Sequence, residues 1–208
     1  MQTFPVAWHR RVEFVQLGRL AEVSRNTTHV HIGTHSGTHL DAPSHFIAEG
    51  ETISDFALGR FSANARLVDL TDVSPGEEVG VTSFSPLMDR PPEPLGAILL
   101  NFNWSRFYGT PGYYSDQPFV SEAAMKLLCS LKPSIIGYDL AMPDNPLDGF
   151  GAECDSPMHK LALGKGILLL ENLTFPSSVP DEFQLFAFPL NLKGLDGSPV
   201  RAVGRVTA

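Results

Sequence analysis

His35-Ser36-Gly37-Thr38-His39-Leu40-Asp41-Ala42-Pro43-Ser44-His45 is the stretch from which the rest of the chain can be read. It places three imidazoles and a carboxylate at odd-numbered positions within eleven residues, and His29 and His31 stand just before it. Five of the seven histidines therefore lie in one short segment, which random placement seldom produces. Imidazole and carboxylate together suit zinc, manganese or iron. In an extended strand, residues of one parity share a face. A straight strand would still hold the Cα atoms of His35 and His39 roughly 13 Å apart, near the limit at which two imidazoles can share one ion. The chain must therefore fold back between them. Gly37 can adopt the positive φ that such a turn needs, and Pro43 stops Asp41 and His45 from continuing a regular ladder. A helix would also align His35 with His39. Gly37, Pro43 and the β-branched Thr34 and Thr38 disfavour one, and no Glu follows His35 as in the His-Glu-x-x-His pattern. The competing reading is a polar hairpin with surface histidines.

Composition narrows the class. A chain of 208 residues with 43% hydrophobic content fits one domain spanning 1–208 with a sizeable core. A net charge of −8 speaks against nucleic acid or an anionic membrane as partner. Two cysteines, Cys129 and Cys154, allow neither a disulfide framework nor a cysteine-based zinc finger. No apolar run is long enough for a signal sequence or a membrane span, so the expected location is the cytoplasm.

The pattern along the chain is mixed α/β. Short runs rich in Val, Ile, Leu and Phe predict strands over Val12–Leu17, Thr28–Gly33, Ala65–Leu70, Ala97–Asn101, Ile135–Leu140, Ile167–Leu170, Phe183–Phe188 and Arg201–Val206. Helices are expected over Ser121–Leu128, where Ser121 can cap, and over Pro157–Leu163, ending at Gly164. Seventeen prolines and eighteen glycines imply long ordered loops, among them Tyr108–Tyr114, whose three tyrosines could line a pocket for a flat substrate or simply pin the loop to the surface.

With these residues in view, the chain resembles the cyclase family of metal-dependent hydrolases, which includes bacterial kynurenine formamidase and isatin hydrolase. The resemblance is carried by the His-x-Gly-Thr-His-x-Asp-x-Pro-x-His pattern of His35 to His45. It continues through Ile136-Gly137-Tyr138-Asp139, His159, Leu170-Glu171-Asn172-Leu173, Phe188-Pro189-Leu190 and Gly197-Ser198-Pro199-Val200-Arg201-Ala202. It implies a single-domain swivelling β/β/α fold, a mixed sheet with few helices.

It also implies roles. His35, His39 and Asp41 would bind a first divalent metal, and Asp41 would be able to bridge to a second. His159 and Glu171 would serve that second metal, with Glu171 bridging both. The ion would be Zn2+, with Mn2+ as the alternative, one or two per chain. A carboxylate has two oxygens and can span two ions roughly 3.5 Å apart, whereas imidazole cannot. His45 would be the proton donor and acceptor. Trp8, after Pro5-Val6, resembles the aromatic that contacts substrate in kynurenine formamidases, and Phe46, Trp104 and the tyrosines near Tyr113 could add flat apolar walls. The chain departs from the family at Met142-Pro143, where a serine is common, and at Asn101-Phe102-Asn103-Trp104. His29 and His31 match no ligand position and are expected to be structural, and the roles of Asp139 and Asp144 stay open.

The implied activity is hydrolysis of a C–N amide bond in a small molecule, of arylformamidase (N-formylkynurenine) or cyclic-amide (isatin-like) type. A cyclase or dehydratase acting on a small carboxylic metabolite uses the same ligands, and a metal-holding protein without turnover is the non-enzymatic alternative. A homodimer or homotetramer is the expected assembly.

Overall fold

A computed structural model of the chain describes residues 9–148 and 155–206, so Trp8 and Cys154 lie outside the described residues. In chain order the strands are β1 (Glu13–Gly18), β2 (Thr27–His31), β3 (His39–Asp41), β4 (Ser62–Asp69), β5 (Glu78–Val79), β6 (Ala97–Asn101), β7 (Phe119–Val120), β8 (Ile135–Tyr138), β9 (Leu168–Glu171), β10 (Glu182–Phe186), β11 (Gly197–Pro199) and β12 (Val203–Arg205). The α-helices are α1 (Leu20–Val23), α2 (Ser85–Asp89), α3 (Gly112–Ser115), α4 (Glu122–Ser130) and α5 (Pro157–Leu163). Eight strands form one mixed sheet in the order β11-β3-β9-β8-β6-β4-β10-β12. The inner four, β9, β8, β6 and β4, run parallel. Antiparallel β3 and β11 extend one side, and antiparallel β10 and β12 the other.

The inner strands are apolar on both faces because both faces are covered, as parallel strands require. Ile98, Leu100, Ile136, Tyr138 and Leu169 face the side on which α4 and α5 pack, against Met125, Leu128, Met158 and Ala162. Leu99, Ile135, Leu168 and Leu170 face the other side, with Leu40 and Phe61. The Ser121 hydroxyl accepts from Ala124 N at 3.2 Å and caps α4, as its position predicted. α5 covers Pro157–Leu163 and ends on Gly164, also as predicted.

All eight expected strands are present, with ends shifted by up to three residues. The three-residue β3 and β11, the small β5–β7 pair and the shortest helices were not anticipated, because so few side chains carry no readable period. Two expectations are corrected. The 108–114 stretch is not all loop: it contains α3, and Tyr113 is buried with its hydroxyl on Asn172 Oδ1 at 2.8 Å. Trp104 is no substrate wall, since its ring lies in the core and Nε1 donates to Tyr113 O at 3.0 Å. β1 and β2 pair only with each other and stand apart from the large sheet. His29 and His31, expected to be structural, lie side by side on this hairpin with their rings 4.3 Å apart and tilted. Among the described residues no helix is long and apolar enough to cross a membrane.

Candidate metal centre and active site

The site forms where β3 meets β9. The register sets His39 opposite Glu171 and Asp41 opposite Leu169. Alternation along the strands therefore sends His39, Asp41 and Glu171 to the face of Leu169, the face that α5 covers. α5 presents His159 to the same spot from above. His35 reaches it by the turn that Gly37 makes at φ +65°. Five side chains from three separate stretches of the chain thus meet at one place.

Asp41 is its centre. Its Oδ1 lies 2.6 Å from His35 Nδ1 and 3.2 Å from His39 Nε2, and its Oδ2 lies 3.5 Å from His159 Nε2. Glu171 Oε2 stands 3.5 Å from His39 Nε2, and its Oε1 stands 3.2 Å from His159 Nε2. Neighbouring groups fix these side chains. His39 Nδ1 bonds Gly37 O at 2.8 Å, His159 Nδ1 bonds Asp144 Oδ2 at 2.5 Å, and Tyr138 OH donates to Glu171 Oε1 at 2.8 Å. Each Nε2 of His39 and His159 is thereby aimed at the carboxylates, the arrangement in which an outer partner orients a metal-binding imidazole.

The chemistry of this set fits a divalent cation. His35, His39 and Asp41 form one group of donor atoms within 4.8 Å of one another, and Asp41, His159 and Glu171 form a second that shares Asp41. Asp41 Oδ2 is buried and makes no hydrogen bond, a costly arrangement unless a cation answers it. Nitrogen and oxygen donors without sulfur suit zinc or manganese.

Protons compete for the same lone pairs. Burial works against a charged His35, yet Asp41 and Asp196 raise its pKa to about 10. Burial likewise opposes charge on His159, but Asp144, Asp41 and Glu171 together lift it well above the usual imidazole value. Asp41 shows the converse. Burial favours its neutral form, while His35 and His39 hold it well below the usual carboxylate range.

His45 sits one step outside the cluster. Its ring stacks on that of His35 at 3.8 Å and lies edge-on to Phe46 at 4.3 Å, while Phe46 is 4.8 Å from the His159 ring. Asp196 holds both imidazoles: its Oδ2 is 2.8 Å from His35 Nε2 and 3.4 Å from His45 Nδ1. Those contacts keep the Asp196 carboxyl well below its ordinary range. His45, His35, Asp196 and His9 line a cavity of about 190 Å³ together with Arg10, Gly33, Thr34 and Ser36. Burial, with the nearby imidazoles of His35 and His45, lowers the pKa of His9 to about 4 and leaves it neutral at pH 7.

The Cyclase family model matches residues 2–145. The chain belongs to the Cyclase family. A kynurenine formamidase of Salinibacter ruber is 31% identical over 188 residues, spanning 88% of this chain and 82% of the relative. A kynurenine formamidase of Geobacillus thermodenitrificans is 28% identical over 182 residues, with 88% and 81% covered. Among solved structures, isatin hydrolase A from Labrenzia aggregata bound to benzyl benzoate superposes with a TM-score of 0.85 at 21% identity, over 95% of this chain and 84% of that one. At that identity the superposition speaks for the fold.

Of the residues singled out in the sequence of this cyclase-family chain, His35, His39, Asp41, His159 and Glu171 converge, with His45 and Phe46 beside them. Trp8 lies outside the described residues. Three neighbours were not foreseen in these roles: Asp196, Asp144 and Tyr138. Asp196 directly precedes the Gly197-Ser198-Pro199 run that resembles the family, and an acid beside a motif glycine was the available signal. Tyr138 shares the face of Glu171, a parity visible only once the strands were aligned. Asp139, whose role was open, accepts backbone N–H groups of Phe102, Trp104 and Ser105 and so supports a loop rather than the cluster.

Proposed function

We propose that this protein is a metal-dependent hydrolase that opens a C–N amide bond in a small aromatic substrate, an aryl formamide such as N-formylkynurenine or a fused cyclic amide such as isatin. The observation that carries the reading is a second-rank histidine, His45, placed beside a buried donor cluster and held there by its own carboxylate, Asp196. A protein that only stores metal has no use for such a group. His35, His39 and Asp41 would hold one ion and Asp41, His159 and Glu171 another, with zinc preferred and manganese able to substitute. A cation held there supplies an acidified water and polarises a carbonyl oxygen.

The chain's own part is the movement of one proton. Asp196 engages His45 Nδ1, which leaves Nε2 as the nitrogen available to the cavity. Nε2 takes a proton from water as the water oxygen bonds to the carbonyl carbon. The C–N bond then breaks and the same proton passes to the departing nitrogen, giving an amine and a carboxylic acid. Phe46 offers a flat wall beside this path. A cavity of about 190 Å³ is smaller than the usual drug-sized pocket and favours a substrate of one or two rings. Two cysteines, too few for a disulfide framework, accord with a cytoplasmic setting.

The test is a turnover assay with N-formylkynurenine, formanilide and isatin after loading with zinc or manganese, scored against an aliphatic amide of similar size. Release of the amine from an aromatic substrate, with little from the aliphatic one, is the expected result. Stoichiometric metal with no turnover of any substrate would return the protein to the metal-holding class.

A further inference from the structure

The far side of the sheet holds a second and larger cavity. Five steps in the strand order separate β3 from β10, roughly 24 Å along the sheet. There the registers set Arg66 opposite Glu182, Asn64 opposite Gln184, and Gln184 opposite Arg205. Cross-strand partners share a face, so these polar side chains stand together while Ala63, Ala65 and Leu185 turn to the core on the other face. Val68, of the same parity as Arg66, lies in the core under the helices, but over Arg66 the cover is the loop that carries Arg90, Pro91, Pro92 and Glu93. Gly96 lets that loop close in, because a Cβ there would stand 2.9 Å from both Asn64 O and Glu93 O. The space left between loop and sheet is about 440 Å³, more than twice the cavity beside His45 and within the range of small-molecule sites.

Its charge is unlike that of the chain around it. Three guanidinium groups face two carboxylates, net +1, in a protein of net −8. Both carboxylates are already engaged. Glu182 pairs with Arg66 and, at 3.0 Å, with Arg90, while Glu93 accepts from Asn64 Nδ2 at 2.9 Å. Arg205 is left with neutral partners: its Nη2 donates to Gln184 Oε1 and its guanidinium lies 5.8 Å from the Phe186 ring, and among the described residues no carboxylate pairs with it. The Arg66 side chain is only 13% exposed, so its charge acts within the cavity rather than in bulk water. We propose that this cavity is a second ligand site, and that it takes a small organic anion whose phosphate or carboxylate group is held by Arg205 and Arg90. Guanidinium is the planar donor suited to both oxyanions. A bare inorganic ion would leave most of the space empty, so the ligand carries an organic body, to which Pro91, Pro92 and the aliphatic stems of the arginines offer apolar walls. Admitting the anion costs little, since the Arg90–Glu182 pair is exposed and weakly held. The site is independent of the chemistry at Asp41.

Nitrogen-15 spectra of zinc-loaded protein in phosphate-free buffer, titrated separately with phenyl phosphate and with benzoate, test the site and distinguish the two anions. At least one probe should shift the amides of 64–66, 182–184 and 203–205 with a dissociation constant of about 1 mM or lower, the scale of two charge-assisted hydrogen bonds. The tighter probe then tells whether a phosphate or a carboxylate is the preferred head. Arg205→Gln should weaken binding roughly 10- to 100-fold, the loss of one such bond. Arg90→Gln, on an exposed loop, should weaken it in the same direction and gives a second reading should the first variant not fold. Added salt should loosen the complex as well. Shifts confined to 35–45, 159 and 171 would put the anion on the metal centre and overturn the second site. It is equally overturned if neither probe shifts the amides of 64–66, 182–184 and 203–205 at ten times that concentration, or if the affinity is unchanged in both variants.

Discussion

The β3–β9 junction and the β1–β2 hairpin break the rule of burial in opposite directions. At the junction, His39, Asp41 and Glu171, with His159 from α5, are buried, though each prefers water. On the hairpin, Phe14, Leu17 and Leu20 face water, though each prefers a core. Between them the inner strands obey the rule, with apolar residues on both covered faces. The contrast teaches where a chain of this kind spends stability: a buried carboxylate oxygen without a hydrogen bond, Asp41 Oδ2, asks for a cation, and an exposed apolar ribbon costs burial that the inner strands obtain.

The largest effect should come from breaking the buried side. His39→Ala removes one donor and leaves Asp41 and Glu171 short of a partner, so metal and turnover should be lost together, with activity falling to the uncatalysed background. Elemental analysis alongside amine release checks both, and full retention of either would contradict the convergence of donors on Asp41. His45→Ala should separate the two readouts. Metal content stays, while kcat falls roughly 10²- to 10⁴-fold, the range for a lost general base. Asp196→Asn should cost roughly 10- to 100-fold in kcat or metal affinity, as losses of such outer partners do, and Asp196→Glu should recover part of it.

Acidity gives a subtler test. For protein stripped by a chelator, the raised His35 contributes stability that is complete below its ordinary value near 6.5 and is lost as pH rises through about 10. Asp41 and Asp196, both depressed, keep their contribution throughout that window, since all of it lies above the usual carboxylate range. The melting temperature of stripped protein should therefore decline from pH 6.5 to 10. Metal affinity should climb over the same interval, because binding must expel those protons. Parallel rather than opposed trends would mean that His35 is not among the ligands. The smallest effect belongs to the hairpin taken one side chain at a time. Phe14→Ser should shift unfolding by no more than about 0.5 kcal/mol, as exposed substitutions do.

Much of the centre was legible in the sequence because ligand chemistry is written in residue type and short spacing. His35, His39, Asp41 and His45 needed only the bend that Gly37 provides. His159 and Glu171 were legible through family resemblance alone, since their approach to Asp41 depends on a strand register and a helix docking that no local pattern encodes. Asp196 was missed for the same reason: 161 residues separate it from His35. The inner strands were readable from continuous apolar runs, whereas β3 and β11 were too short to show a period, although β3 carries His39 and Asp41 and β11 follows directly on Asp196. Trp104 was misplaced because an indole in a polar stretch looks the same in sequence whether it walls a cleft or fills a core.

Asp144 carries a consequence for kinetics. Ser156, just before α5, gives the helix no side-chain cap, and Asp144 serves in its place, accepting from Met158 N at 2.6 Å with one oxygen and holding His159 Nδ1 with the other. One carboxylate therefore ties the first turn of a helix to the aim of a donor imidazole. If that turn frays, His159 is released in the same event, so a bound ion would lose a donor whenever the first turn of α5 opens, and its dwell time would be tied to a backbone motion.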